Sequence, residues 1–259
     1  RPTPDRSRRT EPRTPGAGLR RVGIASIGTM TRVAVLGAKG RMGSTSAAAI
    51  EAAEGLDLVA GIDVGDDLDE VTRAGAEAAL VFTTPEVAPD HVRWCVERGI
   101  HVVVGTSGFG DERVDQVRSL VAGHPGVGVL VVPNFSIGAV LMMRFAAVAA
   151  PFFESVEVIE LHHPDKVDAP SGTAVRTAEL IAASRRAAGS APLPDATTTD
   201  PDGARGARVD GIPVHSVRAR GFVASQEVLL GGTGEILSLR HDSAARESFM
   251  PGVVAALRW

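Results

Sequence analysis

Apolar residues in the first half of this chain fall into short, nearly unbroken runs separated by helical stretches. RVAVLG (32–37), DLVAGID (57–63), AALVFTT (78–84), HVVVGTSG (101–108) and VGVLVVP (127–133) read as five strands. Between them, 40–55, 85–99 and 111–123 carry helical periodicity, and a short acidic segment with a weak helix follows the second strand. Pro85 opens its helix and Gly99 lies just past the end. A strand that is apolar at every position is covered on both faces. Strands alternating with helices therefore predict an α/β domain with a doubly wound parallel sheet and right-handed crossovers.

The rhythm changes after Asn134. Residues 137–153 form a long apolar helix, and VEVIELHH (156–163) is a strand. Residues 171–187 form a second helix, and 189–211, rich in Pro, Gly, Asp and Thr, read as a long loop. IPVHSVRA, SQEVLL and EILSLRH alternate as antiparallel strands do, and 243–259 close as a helix. A second, α+β domain with an open mixed sheet is expected over 134–242, after a first domain over 30–133. There is no internal repeat.

Composition narrows the class. The 259 residues are 44% hydrophobic, enough to bury a core. Net charge is −4, so nothing points to nucleic acid, and no apolar run suits a membrane span. Cys95 is the only cysteine, which excludes a disulfide framework and suits a cytoplasmic protein. Residues 1–29 hold seven arginines, two acids and four prolines and read as a disordered extension outside the fold. An Arg-rich start suits a transit peptide, but the prolines oppose an amphipathic helix. Translation starting at Met30 is the favoured reading.

Of 27 basic residues only Lys39 and Lys166 are lysine. Arginine stays charged at any working pH, whereas lysine is compact and able to give up a proton. Both lysines stand in motif loops.

The first is GAKGRMG, with Gly37, Gly40 and Gly43 between a buried strand and a helix. Such a turn presents backbone N–H groups and a helix N-terminus to a pyrophosphate. Asp63, twenty residues after Gly43 at the end of the second strand, suits the ribose hydroxyls of an adenosine. Lys39 and Arg41 sit within this loop and suit the pyrophosphate or a 2′-phosphate, so NADH and NADPH both stay open. GTSG (105–108) and PNFS (133–136) stand at the carboxyl ends of the fourth and fifth strands, where such sheets bind ligands.

The second is ELHHPDKVDAPSGTA (160–174). Adjacent histidines before a proline lack the spacing of a metal set, so no metal is expected. Ser171 lacks a nucleophile elbow and reads as a helix N-cap, with Gly172 and Thr173 in the first turn. Free N–H groups there, with Lys166 and a histidine nearby, suit a small carboxylated molecule. Beside a nicotinamide domain, these groups imply hydride addition coupled to protonation.

GAKGRMG, GTSGF, PNFSIGA, ELHHPDKVDAPSGTA, GIPVHSVR and RHDS together resemble the dihydrodipicolinate (4-hydroxy-tetrahydrodipicolinate) reductase family over residues 32–259. The resemblance implies a Rossmann-like cofactor domain, a homotetramer built by the substrate domain, and reduction of a cyclic imine dicarboxylate by NADH or NADPH in lysine and diaminopimelate biosynthesis. It implies that His162 and Lys166 are the proton donors. Substrate contacts come from His163, Gly172 and Thr173. Cofactor contacts come from Gly37, Ala38, Lys39, Gly40, Arg41, Met42, Asp63, Gly105, Thr106, Ser107, Val132, Pro133, Asn134 and Phe135. It further implies that 243–259 pack back on the first domain and that relatives continue past Trp259 for roughly another helix. Ser107, Val81 and Ser225 depart from the family's usual threonine, aspartate and histidine. Another imine or amino-acid dehydrogenase, or a non-enzymatic dinucleotide sensor, are the competing readings.

Overall fold

The computed structural model describes residues 30–259, and the expectations for 1–29 lie outside the described residues. The first sheet holds β1 (Thr31–Leu36), β2 (Leu56–Ile62), β3 (Ala78–Val81), β4 (His101–Val104) and β5 (Val129–Val131). All five run parallel in the order β2-β1-β3-β4-β5. Helices α1 (Arg41–Glu51), α2 (Asp69–Arg73), α3 (Ala88–Glu97) and α4 (Asp111–Ala122) connect them. The continuous apolar runs have a direct cause. In β1, Ala34 and Leu36 enter one core with Val71, Val92 and Cys95, while Val33 and Val35 enter another with Ile50 and Leu80. Burial pushes the Cys95 thiol up to about 12, which makes it an inert packing residue.

β3, β4 and β5 end before the apolar runs do. Beyond them Phe82, Thr83, Thr84, Gly105, Ser107, Val132 and Pro133 line cavities instead. The chain order reverses at β1, so the carboxyl ends of β1 and β3 flank the crevice where such sheets take ligands.

The second sheet contains β6 (Ser155–His162), β7 (Ala207–Val209), β8 (Ile212–Arg218), β9 (Ala224–Gly232) and β10 (Glu235–Ser243), ordered β10-β9-β6-β8-β7. Only β6 and β8 are parallel neighbours. β7 lies within the segment read as a loop. Its sign was the Asp210-Gly211 pair, whose positive φ values make a two-residue hairpin turn. Helices α5 (Ile137–Ala149) and α6 (Gly172–Ala187) lie against each other and cover one face, where Val156, Val158, Val214, Val228 and Leu230 pack with Ile181.

The final segment is not helical throughout. A 3₁₀ turn over Arg246–Phe249 precedes α7 (Met250–Leu257), which starts where Pro251 fits a first turn. Met250, Val253 and Leu257 bury into the core of Val33, Val35 and Leu80. Gly252 permits this seat, because a Cβ there would stand 1.9 Å from the Phe135 carbonyl oxygen.

Candidate active site

The glycine turn is a packed unit. Gly37 adopts φ +85°, and the N–H groups of Gly37 and Ala38 both donate to the Ile62 carbonyl, at 2.8 and 3.1 Å. Any Cβ on Gly43 would lie 2.0 Å from the Gly37 oxygen, so α1 sits directly on the turn. Asp63 accepts the Lys39 backbone N–H at 2.7 Å and the Val64 N–H at 2.9 Å. These two bonds hold its carboxyl below the usual range. The Lys39 ammonium turns to Asp66, 3.2 Å away. Gly37, Gly40, Asp63, Asp66, Thr83 and His91 line one cavity of about 480 Å³. Arg41 is exposed and lines neither this cavity nor the next.

Phe82 belongs to this cavity and to a second of about 390 Å³ lying between the two sheets. Its ring meets Phe135 edge-on, with centroids 5.5 Å apart. Met42, Gly105, Ser107, Val132, Pro133, Asn134 and Phe135 line the second cavity from one side. His162, Lys166, Ser171 and Thr173 line it from the other. Thr106 points away from it, its hydroxyl donating to the Thr83 carbonyl at 3.0 Å. Asn134 spans the two halves: its Nδ2 donates to Thr173 Oγ1 at 3.0 Å.

Cross-strand pairing explains why polar groups gather here. Along β6, residues 156 and 158 are apolar, whereas Glu160 and His162 continue the same face. Glu160 stands between Ser216 and Gln226, and His162 between Arg218 and Ala224. Gln226 and Ala224 in turn pair with His241 and Ser243. The helix-covered face thus passes from a hydrocarbon core to a polar shelf at the end nearest the first domain. Glu160 is wholly buried, and its Oε2 lies 2.5 Å from His162 Nδ1.

After β6 the chain turns through His163, whose carbonyl accepts the Lys166 N–H at 3.2 Å. His163 does not line the cavity that His162 lines. Lys166 Nζ donates to Asp168 Oδ1 at 2.7 Å. Burial alone would raise the Asp168 carboxyl, but Lys166 and the Gly172 backbone N–H hold it below the usual range. Ser171 caps α6, its hydroxyl accepting the Ala174 N–H. The α6 N-terminus, an ammonium and an imidazole therefore converge on one pocket, opposite the β4 and β5 termini. Such a set can hold an anion and supply a proton. Among the described residues, no group of three or more His, Cys, Asp or Glu converges as a metal site would.

The family description "Dihydrodipicolinate reductase, N-terminus" matches residues 31–135, and its C-terminal counterpart matches 138–259. The chain belongs to the dihydrodipicolinate reductase family. The 4-hydroxy-tetrahydrodipicolinate reductase of Streptomyces coelicolor is 60% identical over 227 residues, spanning 88% of this chain and 91% of that one. The enzyme of the same name from Mycolicibacterium smegmatis is 59% identical over 88% of this chain and 92% of its own. The dipicolinate-bound dihydrodipicolinate reductase of Paenisporosarcina sp. TG-14 superposes with a TM-score of 0.75 at 40% identity, covering 89% and 94% of the two chains. The myo-inositol 2-dehydrogenase of Lactobacillus plantarum, at 12% identity and a TM-score of 0.57, over 88% of each chain, shares the fold.

Several residues of this family member's pocket escape a motif reading. Glu160 opens the quoted motif, yet its role needed the strand alternation that puts it on the face of His162. Arg218 and Gln226 lie on strands brought in by topology. Gln226 Nε2 donates to Thr177 Oγ1 at 2.7 Å, since that hydroxyl itself donates to the Thr173 carbonyl. Gln226 Oε1 and Ser243 Oγ are buried at the cavity without a protein partner.

Proposed function

We propose that the chain reduces 4-hydroxy-tetrahydrodipicolinate to tetrahydrodipicolinate with NADH or NADPH, in lysine and diaminopimelate biosynthesis. The carrying observation is the shared cavity: residues of the β4 and β5 termini face His162, Lys166 and Thr173 across it. The glycine turn and the Asp63 carboxylate fit a dinucleotide, with its adenosine ribose at Asp63. Bound there, the nicotinamide supplies the hydride.

The chain's own residues do the rest. Thr173, the Gly172 N–H and Lys166 hold a substrate carboxylate, with His163 a further contact from the turn. His162 gives a proton to the ring, with Lys166 as the second donor. Hydride plus proton adds two hydrogens, and atom balance then requires the 4-hydroxyl to leave as water. Phe82, Phe135 and Pro133 wall the cavity with apolar surface, which strengthens the polar contacts within it. The competing reading as a non-enzymatic sensor does not explain a buried carboxylate–imidazole pair beside an ammonium.

The test mixes protein, reduced dinucleotide and freshly made 4-hydroxy-tetrahydrodipicolinate, and follows the reduced-nicotinamide absorbance. Oxidation no faster than in the no-substrate control would overturn the reading.

The proposal includes a cytoplasmic homotetramer with a dinucleotide-binding domain over 30–133, joined by 243–259, and a substrate domain over 134–242. Its support is the outer face of the second sheet, where Ile159, Leu161 and Leu229 are only half-buried and Ile236 is 74% exposed. No described helix is long and apolar enough to cross a membrane. Light scattering at the mass of one chain would overturn the tetramer.

A further inference from the structure

We propose that Glu160 and Arg218 form a positioning pair that fixes which nitrogen of His162 exchanges a proton with the substrate. The inference rests on the reading of His162 as proton donor and adds to it.

Donors surround the buried Glu160 carboxylate, the Ser216 hydroxyl on the paired strand among them. Arg218 Nη1 donates to Oε2 at 2.9 Å and Nη2 to Oε1 at 2.8 Å. The Ser171 backbone N–H donates to Oε1 at 3.3 Å. Oε2 also meets His162 Nδ1, 2.5 Å away. An ionised carboxylate only accepts, so Nδ1 carries its hydrogen. That leaves Nε2 as the ring nitrogen that gives and takes a proton in the cavity His162 lines.

The same carboxylate aligns the other two parts of the site. Arg218 Nη2 also donates to the Asp168 carbonyl at 2.7 Å, which anchors the loop carrying Lys166. Ser171 is the cap of α6, whose next two residues form the anion-binding turn. One buried carboxylate thus sets the imidazole, the ammonium loop and the helix end relative to each other. The charged and titratable groups around His162 are Glu160 on its own strand, Arg218 on β8, Lys166 and Asp168 on the loop, and His241 on β10.

Glu160→Gln is the informative change because it preserves shape. Its amide nitrogen must take the position of one carboxylate oxygen. At Oε1 it would face two fixed donors, Arg218 Nη2 and Ser171 N–H. At Oε2 it faces Arg218 Nη1 and an imidazole able to switch tautomer. The amide therefore settles at Oε2 and donates to Nδ1, moving the imidazole hydrogen to Nε2 and leaving a neutral ring as a poor acid.

The experiment combines turnover with nitrogen-15 NMR of the His162 ring in full-length protein. Glu160→Gln should lower kcat by about a hundredfold or more, the usual scale of general acid catalysis, and leave KM for the dinucleotide within about twofold. The His162 Nδ1 resonance should move from a protonated to an unprotonated nitrogen. In a His162→Gln background, adding Glu160→Gln should cost less than about threefold, because coupled residues are not additive. An equal cost in both backgrounds, or an unchanged Nδ1 resonance, overturns the positioning role. Undiminished turnover of His162→Gln overturns the proton-donor reading itself, a separate result. Should Glu160→Gln not fold, the wild-type spectrum decides, and an unprotonated Nδ1 overturns the proposal.

Discussion

Arg218 meets Glu160 with both ends of its guanidinium, one nitrogen on each carboxylate oxygen, where Glu160 has no exposed side-chain surface. Burial by itself would raise the Glu160 carboxyl. Hydrogen bonds from His162, Arg218 and Ser216 outweigh it and lower the value from 4.5 to about 2. A group depressed in the folded state stabilises fully above its unfolded value and loses that contribution as pH falls through the folded one. Ionised Glu160, held first by His162 and then by Arg218 and Ser216, therefore stabilises the fold at neutral pH, and this contribution is lost between about pH 4.5 and pH 2. Urea midpoints measured across that window should fall more steeply in wild type than in Glu160→Gln. Parallel profiles would show that ionised Glu160 contributes nothing to acid stability.

Asp63 does two jobs at once, accepting the Lys39 and Val64 N–H groups while lining the larger cavity. Asp63→Ala should raise KM for NADH more than for NADPH, since NADPH has a phosphate in place of one ribose hydroxyl. Asp66 holds the Lys39 ammonium at 3.2 Å. Asp66→Ala should free that ammonium for a 2′-phosphate and shift the kcat/KM ratio towards NADPH. Steady-state kinetics with both dinucleotides check both changes. Equal losses in Asp63→Ala would remove its ribose role.

Lys166 is mostly covered and pairs with the half-exposed Asp168 at 2.7 Å. Asp168 thereby engages Lys166 and the Gly172 N–H, the groups proposed for a substrate carboxylate. Lys166→Arg keeps the charge but loses the compact, deprotonable donor, so kcat should fall by about a hundredfold. Asp168→Asn removes the competing charge, so pyridine-2,6-dicarboxylate should bind several-fold tighter by calorimetry. Weaker binding would show instead that Asp168 prepares the lysine for its ligand.

Much of this site was legible because its chemistry sits in two contiguous loops. The glycine turn, Asp63 and the His162–Thr173 segment could each be read from local spacing, and the structure brings most of them to two adjoining cavities. Ala38, Lys39, Arg41, Thr106, His163 and Gly172 lie in the right motifs but line neither cavity, because neighbours in a turn point different ways. Glu160, Arg218 and Ser243 stand in quoted motifs, but their roles, like that of Gln226, were not legible for the opposite reason. They converge only through the pairing of β6 with β8 and β9, and of β9 with β10, which no local spacing encodes. In the same way β7 was hidden in a polar stretch, since three residues carry too little periodicity to register.

Gly252 tests whether the last helix is part of the site's frame. A Cβ there would meet the Phe135 oxygen at 1.9 Å, a backbone atom that cannot step aside cheaply. Phe135 also walls the smaller cavity, so displacing α7 strains the pocket as well as the core. Overpacking of this kind costs about 1–3 kcal/mol, which lowers Tm by roughly 2–12 °C in a chain this size. Gly252→Ala should show that fall together with a raised KM for the dicarboxylate. Gly123→Ala is the control: it too is a single added methyl at a helix end, but at φ −83° with its nearest neighbour at an ordinary 3.5 Å. If both variants melt alike, the close approach of α7 to Phe135 is not what seats the helix. If only Gly252→Ala melts early yet binds substrate normally, α7 stabilises the first domain without shaping the pocket.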